Sequence, residues 1–251
     1  HKRIALFVLE NVGSNGASLV FGFMLTAAII SMWVMNTATT IMLLPIGLAV
    51  ITVVKETVNG LTEKESENFQ LSLLLGIAYG ATIGGMSTLI GTGPNGMLAA
   101  FMADNYDLDI SMIDWMKVGV PLSAIMLPSS WFVLTRIIYP VRFKTSEETR
   151  ALLSSMKEEL GEFQGPEVKV FMVFLLTALC WMLRTVLDDL PGLGGLSDAG
   201  IAMISAMLLF LLPSGDKETK GPLLEWEDAQ KNVPWGLLVL FGGGLRLANA
   251  V

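Results

Sequence analysis

Two long stretches of this sequence carry no charged residue, one between Glu10 and Lys55 and the other between Glu67 and Asp104. A helix on the surface of a soluble protein needs a polar stripe along one side, and these stretches leave no room for one. Uncharged, largely apolar runs of about 18 residues or more are typical of membrane spans. Only 16% of the residues are charged, against about a quarter in soluble domains. We therefore predict an all-α integral membrane protein with several helical spans.

The charged residues occupy two kinds of loop, which indicate the orientation of the spans. Lysine and arginine cluster near Lys2, near Lys55, over 136–169 and over 217–231, whereas the loops at 104–114 and 188–198 carry acidic residues only. Loops rich in lysine and arginine lie on the cytoplasmic side of a membrane, so the acidic loops are predicted to lie outside. The expected location is the plasma or inner membrane, with membrane lipid as the surroundings.

This alternation limits how often each uncharged run crosses the membrane. The run over 11–54 starts and ends inside, and as one helix it would be about 65 Å long, twice the hydrocarbon core of about 30 Å. Two crossings or a re-entrant hairpin fit this run, which we assign to an interfacial segment and a hairpin. The run over 68–103 passes from inside to outside, which favours one crossing with an interruption. The other predicted spans are 118–138, 169–187, 199–213 and 234–251, with cytoplasmic segments at 141–168 and 216–233.

Polar residues interrupt the first run at its centre, between Ser31 and Thr40. An unpaired amide or hydroxyl inside hydrocarbon costs several kcal/mol, so these groups need partners. In one interpretation they form the tip of a hairpin where Asn36 and Thr37 face a bound solute. In the other, the hydroxyl groups bond to their own helix and Asn36 bonds to a neighbour. This segment alone leaves both open.

A glycine-rich cluster interrupts the second run between Tyr79 and Phe101. Glycines there could serve close helix packing, but the segment from Gly91 to Asn95 contains the residue types of turns. Irregular backbone at membrane depth persists only where it is buried or lines a cavity. A broken helix supplies carbonyl groups for a cation and a helix N-terminus for an anion. Thr92, Pro94 and Asn95 are therefore candidate substrate-binding residues.

Several other classes of function find no support in the sequence. GTGPNG lacks the ending of a phosphate-binding P-loop, and no HExxH or CxxC occurs. Cys180 cannot form an intrachain disulfide and His1 is the only histidine. A net charge of −7 argues against a nucleic-acid partner. The sequence indicates neither an enzyme nor a nucleic-acid-binding protein. Because its last residues fall inside an apolar segment, we expect it to be an internal piece of a longer protein.

Four segments of the sequence are distinctive when taken together, namely MWVMNTATTIMLLPI at 32–46, IGGMSTLIGTGPN at 83–95, LSDAGIAMISAMLLFLLP at 196–213 and WEDAQKNVPWGLLVLFGGG at 226–244. They resemble segments of the divalent anion/sodium symporter family, which includes sodium-coupled di- and tricarboxylate transporters. The first resembles the family's hairpin with its Ser-Asn-Thr signature, and the second resembles the glycine-rich break of its fifth helix. The resemblance implies half of an inverted repeat plus the start of the second, in a homodimer whose transport domain moves like an elevator.

The resemblance also implies where ions and substrate bind. Ser31 and Asn36 match sodium ligands, and backbone around Gly84 and Gly91 would add oxygens, with the choice between the two glycines left open. Asn36 and Thr37 match residues that bind a substrate carboxylate. The signature serine is replaced by Met35, whose thioether is a poor ligand for sodium, so the coupling ion and its stoichiometry are left open.

The leading hypothesis is sodium-coupled symport of a dicarboxylate such as succinate or malate. Two alternatives keep the fold, namely symport of sulfate or another oxyanion, and sodium-independent exchange of dicarboxylates. A third is a non-transporting membrane subunit. Neither interrupted segment contains lysine or arginine, so a dianion would be bound by amide and hydroxyl donors, helix N-termini and the sodium ions.

Overall fold

The structure is a computed structural model that describes most of the chain. The described residues are 3, 6, 15–144, 146–162, 164–188, 195–215, 221–233 and 235–248. Parts of the predicted segments and loops fall outside this set, at 11–14, 145, 163, 189–194, 216–220, 234 and 249–251. The described residues contain helices and two isolated bridge pairs, and no strand. The predicted all-helical fold class is confirmed.

The chain divides into two compact units, His1–Ile110 with Asp114–Gly161 and Ser111–Ile113 with Glu162–Val251. The first unit is built from α1 (Gly16–Ser31), α2 (Asn36–Thr57), α3 (Glu63–Gly85), α4 (Gly93–Tyr106), α5 (Met112–Phe132), its π-helical continuation Val133–Ile138, and α6 (Glu147–Glu158). The second is built from α7 (Gly165–Met182), α8 (Arg184–Asp188), α9 (Asp198–Leu211), α10 (Trp226–Asn232) and α11 (Trp235–Ala248).

Within the described residues, three helical segments are long and apolar enough to cross a membrane, namely Asn36–Thr57, Met112–Ile138 and Gly165–Met182. Many of their apolar side chains face outward; for example, Val118 is 71% and Ile125 68% exposed. Such surfaces are stable against lipid rather than water. The protein is therefore an integral membrane protein, as the sequence predicts.

Glycines let α1 and α3 approach to backbone contact. Gly76, Gly80 and Gly84 follow one another at four-residue spacing, which places them on one face of α3. A Cβ built on Gly80 would lie 2.5 Å from the carbonyl oxygen of Met24, and one on Gly84 would overlap the carbonyl oxygen of Ala28. This is the close packing through small residues that stabilises helix pairs in membranes.

Helix α5 runs antiparallel to α3 within the first unit. Midway along α5, Ser123 donates to the carbonyl oxygen of Ile83 at 2.8 Å, near the end of α3. Past the π-helical continuation of α5, the carbonyl oxygen of Tyr139 accepts from Ser72 at 3.2 Å, in the middle of α3. Later residues of α5 therefore pair with earlier residues of α3, which fixes the antiparallel register.

Polar caps set the ends of the helices outside the apolar region. Thr62 and Glu65 form a reciprocal capping box at the start of α3, and hydrogen bonds from the Thr62 side chain and backbone hold the pKa of Glu65 below its usual range. Ser146 caps α6 and lies 2.6 Å from the hydroxyl of Thr57 at the end of α2. This helix, α6, lies in the 141–168 segment and is amphipathic, and its Leu153 side chain packs into the core.

The second unit is organised around α7 and α9. Thr177 donates to Ser205 at 2.7 Å across the two helices, and Lys169 donates to the carbonyl oxygens of Pro213 at 2.8 Å and Ser214 at 3.3 Å. The Lys169 bonds use a donor near the start of α7 to satisfy carbonyl groups just past the end of α9, and the Thr177 bond joins the two helices further along.

Two helices of this unit begin earlier or end sooner than the sequence predicts. The predicted span 169–187 is helix Gly165–Met182 followed by the short helix Arg184–Asp188, because a capping box of Gln164 and Glu167 starts the helix early. The predicted span 199–213 is helix Asp198–Leu211, about 21 Å long at 1.5 Å per residue.

We expect Gly80→Ala to destabilise the first unit, since the added Cβ meets backbone rather than a movable side chain. Overpacking of this kind costs about 1–3 kcal/mol. The control is Gly96→Ala in α4, where the nearest atom to an added Cβ is 3.9 Å away and alanine favours the helix by about 1 kcal/mol. Thermal melting of the purified protein in detergent should show a lower midpoint for G80A only. Equal midpoints would contradict the close packing of α1 on α3.

Candidate functional site

The first interrupted segment is a tight turn between two helices. Helix α1 ends at Ser31 and α2 begins at Asn36. The hydroxyl of Ser31, which is fully buried, donates to Asn36 Oδ1 at 2.7 Å and to the carbonyl oxygen of Val34 at 3.3 Å. Thr40 donates to the carbonyl oxygen of Asn36 at 2.9 Å. The two polar residues predicted to bind sodium are therefore in direct contact across the turn.

The second interrupted segment separates α3 from α4. Helix α3 ends at Gly85, α4 begins at Gly93, and residues 86–92, which we call the break, are not helical. Thr88 is fully buried; its hydroxyl accepts the N–H of Gly91 at 3.1 Å. The turn chemistry around Gly91 thus ends one helix and starts the next.

The turn and the break lie against each other. The hydroxyl of Thr88 donates to the carbonyl oxygen of Met32. A Cβ on Gly85 would overlap Asn36 Oδ1, and a Cβ on Gly91 would lie 2.9 Å from the carbonyl oxygen of Ser31. The structure therefore brings Ser31, Asn36 and Gly91 together, although 60 positions in the sequence separate the first from the last.

The two candidate glycines have different surroundings. Gly84 faces the backbone of Ala28, one turn before the end of α1, whereas Gly91 lies between the carbonyl oxygens of Ser31 and Gly85. Gly84 thus belongs to the helix packing of α1 on α3. Gly91 lies beside the polar residues of the turn.

The side chain of Asn95 is committed to the break. It is 8% exposed, and its Nδ2 donates to the carbonyl oxygens of Gly85 at 2.9 Å and Thr88 at 2.8 Å. Both amide protons therefore bond to backbone carbonyl groups, one at the end of α3 and one in the break, where the helical hydrogen-bond pattern is interrupted. The observed bonds give Asn95 a positioning role in the break.

Two helix N-termini point their first turns at this region. The N-cap residues are Met35 for α2 and Thr92 for α4, and neither makes a side-chain capping bond. Thr37 and Pro94, both in first turns, are exposed. A helix N-terminus carries partial positive charge and free N–H groups, which favour anions. Two such termini beside one another can bind a carboxylate without a lysine or arginine.

The ligand chemistry available for a cation is that of neutral oxygen atoms. The described part of the chain contains no group of three or more histidine, cysteine, aspartate or glutamate side chains that could hold a metal. Hard cations take hydroxyl, amide and carbonyl oxygens at about 2.3–2.6 Å. Ser31 Oγ and Asn36 Oδ1, 2.7 Å apart, are close enough to share one ion.

Sequence reasoning missed two residues of this arrangement. Thr88 bridges the turn and the break, and Gly85 lets Asn36 approach the end of α3. Both lie inside the glycine-rich segment singled out from the sequence, but their roles depend on contacts with α1 and α2. The local signal for Thr88 in the sequence is that it is a polar residue inside the glycine-rich segment.

Comparison with known proteins extends these observations. The chain matches the family described as the sodium:sulfate symporter transmembrane region over residues 1–251. A sodium-dependent dicarboxylate transporter SdcS of Staphylococcus saprophyticus is 37% identical over 253 residues, with 100% of this chain and 49% of the relative covered. The SdcS protein of Staphylococcus aureus strain USA300 is 34% identical over 253 residues, with 100% of this chain and 48% of the relative covered. The chain therefore spans about half the length of these relatives.

We expect Asn95→Asp to lower the thermal stability sharply, because the isosteric carboxylate cannot donate to the carbonyl groups of Gly85 and Thr88. Each buried acceptor left unsatisfied costs about 1–3 kcal/mol. Asn105→Asp is the matched control, since Asn105 also donates to a backbone carbonyl, that of Phe101 at 2.9 Å, but from an exposed position of the same helix. Differential melting of the two variants checks this. A control that melts as low as N95D would contradict the positioning role.

Proposed function

The chain belongs to the divalent anion/sodium symporter family, matched here along its whole length as the sodium:sulfate symporter transmembrane region, and we propose on this basis that the full-length protein is a secondary active transporter that carries a dicarboxylate together with sodium ions. Membership in this family confirms the resemblance inferred from the four sequence segments. It also agrees with the prediction that the chain belongs to a transporter and not to an enzyme.

The observation that carries the proposal is the meeting of the turn and the break at one place. Neutral oxygens from Ser31, Asn36 and the backbone at Gly91 lie together, and two helix N-termini without side-chain caps lie beside them. We assign the oxygens to sodium and the N-termini, with Thr37, Thr92 and Asn36, to the substrate carboxylate. The bound cation would balance the negative charge of the substrate, since the two segments contain no basic residue.

The position of Gly91 supports it over Gly84 as the backbone sodium ligand. Gly91 adjoins the carbonyl oxygen of Ser31, while the corresponding space at Gly84 is filled by the backbone of Ala28. Asn95 stabilises the site by donating hydrogen bonds to the carbonyl oxygens of Gly85 and Thr88. Pro94 starts α4 without requiring an N–H partner.

Dicarboxylates are proposed as the cargo because the printed names of the two relatives describe sodium-dependent dicarboxylate transporters. Succinate and malate are the acids to test first. Sulfate is the second candidate, since it appears in the description of the family. Sodium-independent exchange is the third, because Met35 supplies a thioether at the turn where a hydroxyl would be a better ligand. The homodimer and the elevator-type movement implied by the resemblance remain predictions.

We expect Asn36→Ala and Thr37→Val to lower sodium-driven succinate uptake about tenfold or more, since hydrogen bonds to a charged group contribute about 1.5–3 kcal/mol. Thr52→Val is the matched control, because Thr52 lies on the same helix and bonds only to the carbonyl oxygen of Leu48 at 3.1 Å. The measurement is radiolabelled succinate uptake into proteoliposomes of the full-length protein, with and without a sodium gradient. If folded N36A and T37V take up succinate as fast as T52V does, these residues play no part in transport.

The same assay separates the candidate functions. Uptake that requires the sodium gradient supports symport, whereas counterflow of succinate without sodium supports exchange. Sodium-driven uptake of radiolabelled sulfate without uptake of succinate would move the assignment to an oxyanion symporter. Absence of uptake and counterflow for both succinate and sulfate in folded protein would favour a non-transporting subunit.

We expect Met35→Ser to lower the sodium concentration needed for half-maximal uptake. A serine at the N-cap of α2 adds a hydroxyl oxygen at the turn, and N-cap serine also stabilises a helix by about 1 kcal/mol. Met35→Ala serves as the control because it removes the thioether without adding a hydroxyl. Equal sodium dependence in the serine and alanine variants would show that residue 35 does not contact the ion.

A further inference from the structure

Three residues of α5 contact the break or the end of α3 at atoms other than those that meet the turn. They are Trp115, Gly119 and Ser123, spaced four residues apart and therefore on one face of the helix. The sequence of α5 looks like that of an ordinary span, and none of the three has been assigned a role in the site.

Trp115 fixes the first carbonyl group beyond the end of α3. Its indole Nε1 donates to the carbonyl oxygen of Met86 at 2.9 Å. One turn further along α5, a Cβ on Gly119 would lie 2.7 Å from the same oxygen and 2.9 Å from that of Ser87. The two backbones are therefore in direct contact, and the tryptophan determines the direction of the Met86 carbonyl.

Ser123 fixes the last turn of α3 through a buried relay. Its hydroxyl donates to the carbonyl oxygen of Ile83 at 2.8 Å and accepts from the hydroxyl of Ser87 at 2.8 Å. Ser87 is 2% and Ser123 8% exposed, so water does not compete for these bonds. The relay connects α3, the break and α5.

These contacts decide which carbonyl groups at the end of α3 and in the break are occupied by protein donors. Ser123 and Trp115 take those of Ile83 and Met86, and Asn95 takes those of Gly85 and Thr88. The backbone at Gly91 instead faces the turn, because a Cβ on Gly91 would lie 2.9 Å from the carbonyl oxygen of Ser31. A rigid arrangement of this kind holds ligand atoms in place before the ion arrives.

We propose that Trp115 and Ser123 are positioning residues that set the sodium affinity of the site by holding the break in its ligand-presenting conformation. They do not contact the ion or the substrate. They act through Met86, Ser87 and Ile83, whose carbonyl and hydroxyl groups they orient. The inference rests on the proposed function, because it assumes that sodium binds beside the turn.

The test compares two removals of a hydrogen bond with two matched controls on the same helix. Trp115→Phe and Ser123→Ala lose the bonds to the break. Trp131→Phe loses an equivalent indole bond, to the carbonyl oxygen of Ala17 at 2.7 Å, and Ser129→Ala loses an exposed bond to the carbonyl oxygen of Ile125 at 2.7 Å. Ser123→Thr keeps the hydroxyl and serves as the rescue variant.

Full-length protein in proteoliposomes is assayed for succinate uptake over a range of sodium concentrations, with thermal melting measured alongside. W115F and S123A are expected to raise the half-saturating sodium concentration about three- to tenfold and to keep the maximal rate at saturating sodium. W131F and S129A should leave the sodium dependence unchanged, even where W131F lowers the melting point. S123T should recover most of the sodium affinity.

Two outcomes would overturn the inference, and they are distinguishable. If wild-type uptake depends on sodium but W115F and S123A change the half-saturating concentration no more than their controls, the α5 contacts only stabilise the fold. If wild-type uptake does not depend on sodium at all, the proposed function fails, and the inference fails with it.

Discussion

Backbone carbonyl groups at membrane depth must be satisfied inside the protein, because lipid offers no hydrogen-bond donors. This requirement governs the break between α3 and α4. The side chain of Asn95 serves two of the carbonyl groups, and the indole of Trp115 serves a third. Without such donors these carbonyl groups would be left unsatisfied, at a cost of about 1–3 kcal/mol for each buried group.

Close helix packing brings the break to the turn. The glycines of α3 let its backbone contact α1 through Met24 and Ala28, so the ends of the two helices, Ser31 and Gly85, arrive at the same level. Thr88 then joins the two interruptions through the carbonyl oxygen of Met32. Packing along the whole length of α1 thus determines the geometry of a few residues at its end.

The resulting region contains neutral oxygens and helix N-termini rather than charged side chains. A cation held by such oxygens would keep its full charge available to a neighbouring anion, because no carboxylate of the site neutralises it. This arrangement would suit the proposed joint binding of sodium and a dicarboxylate, in which each ligand would supply part of the electrostatic stabilisation of the other. The described residues of the turn and the break carry no charged side chain, so without ligands the region holds no unpaired buried charge.

The sequence by itself determined the fold class and the location of the two interruptions. Charge-free runs indicated membrane helices, and the polar centre at Ser31–Thr40 and the glycine-rich segment at Gly91–Asn95 indicated two interruptions, because periodicity and turn chemistry are local properties of the chain. The resemblance indicated Ser31 and Asn36 as candidate sodium ligands, because a family motif is also a local property of the chain. Only the tertiary structure decided that Gly91 rather than Gly84 faces the turn, that both amide protons of Asn95 are used by the backbone, and that Trp115 and Ser123 reach the break from α5. These facts depend on how α1, α3 and α5 pack, and contacts between residues distant in sequence leave no local pattern.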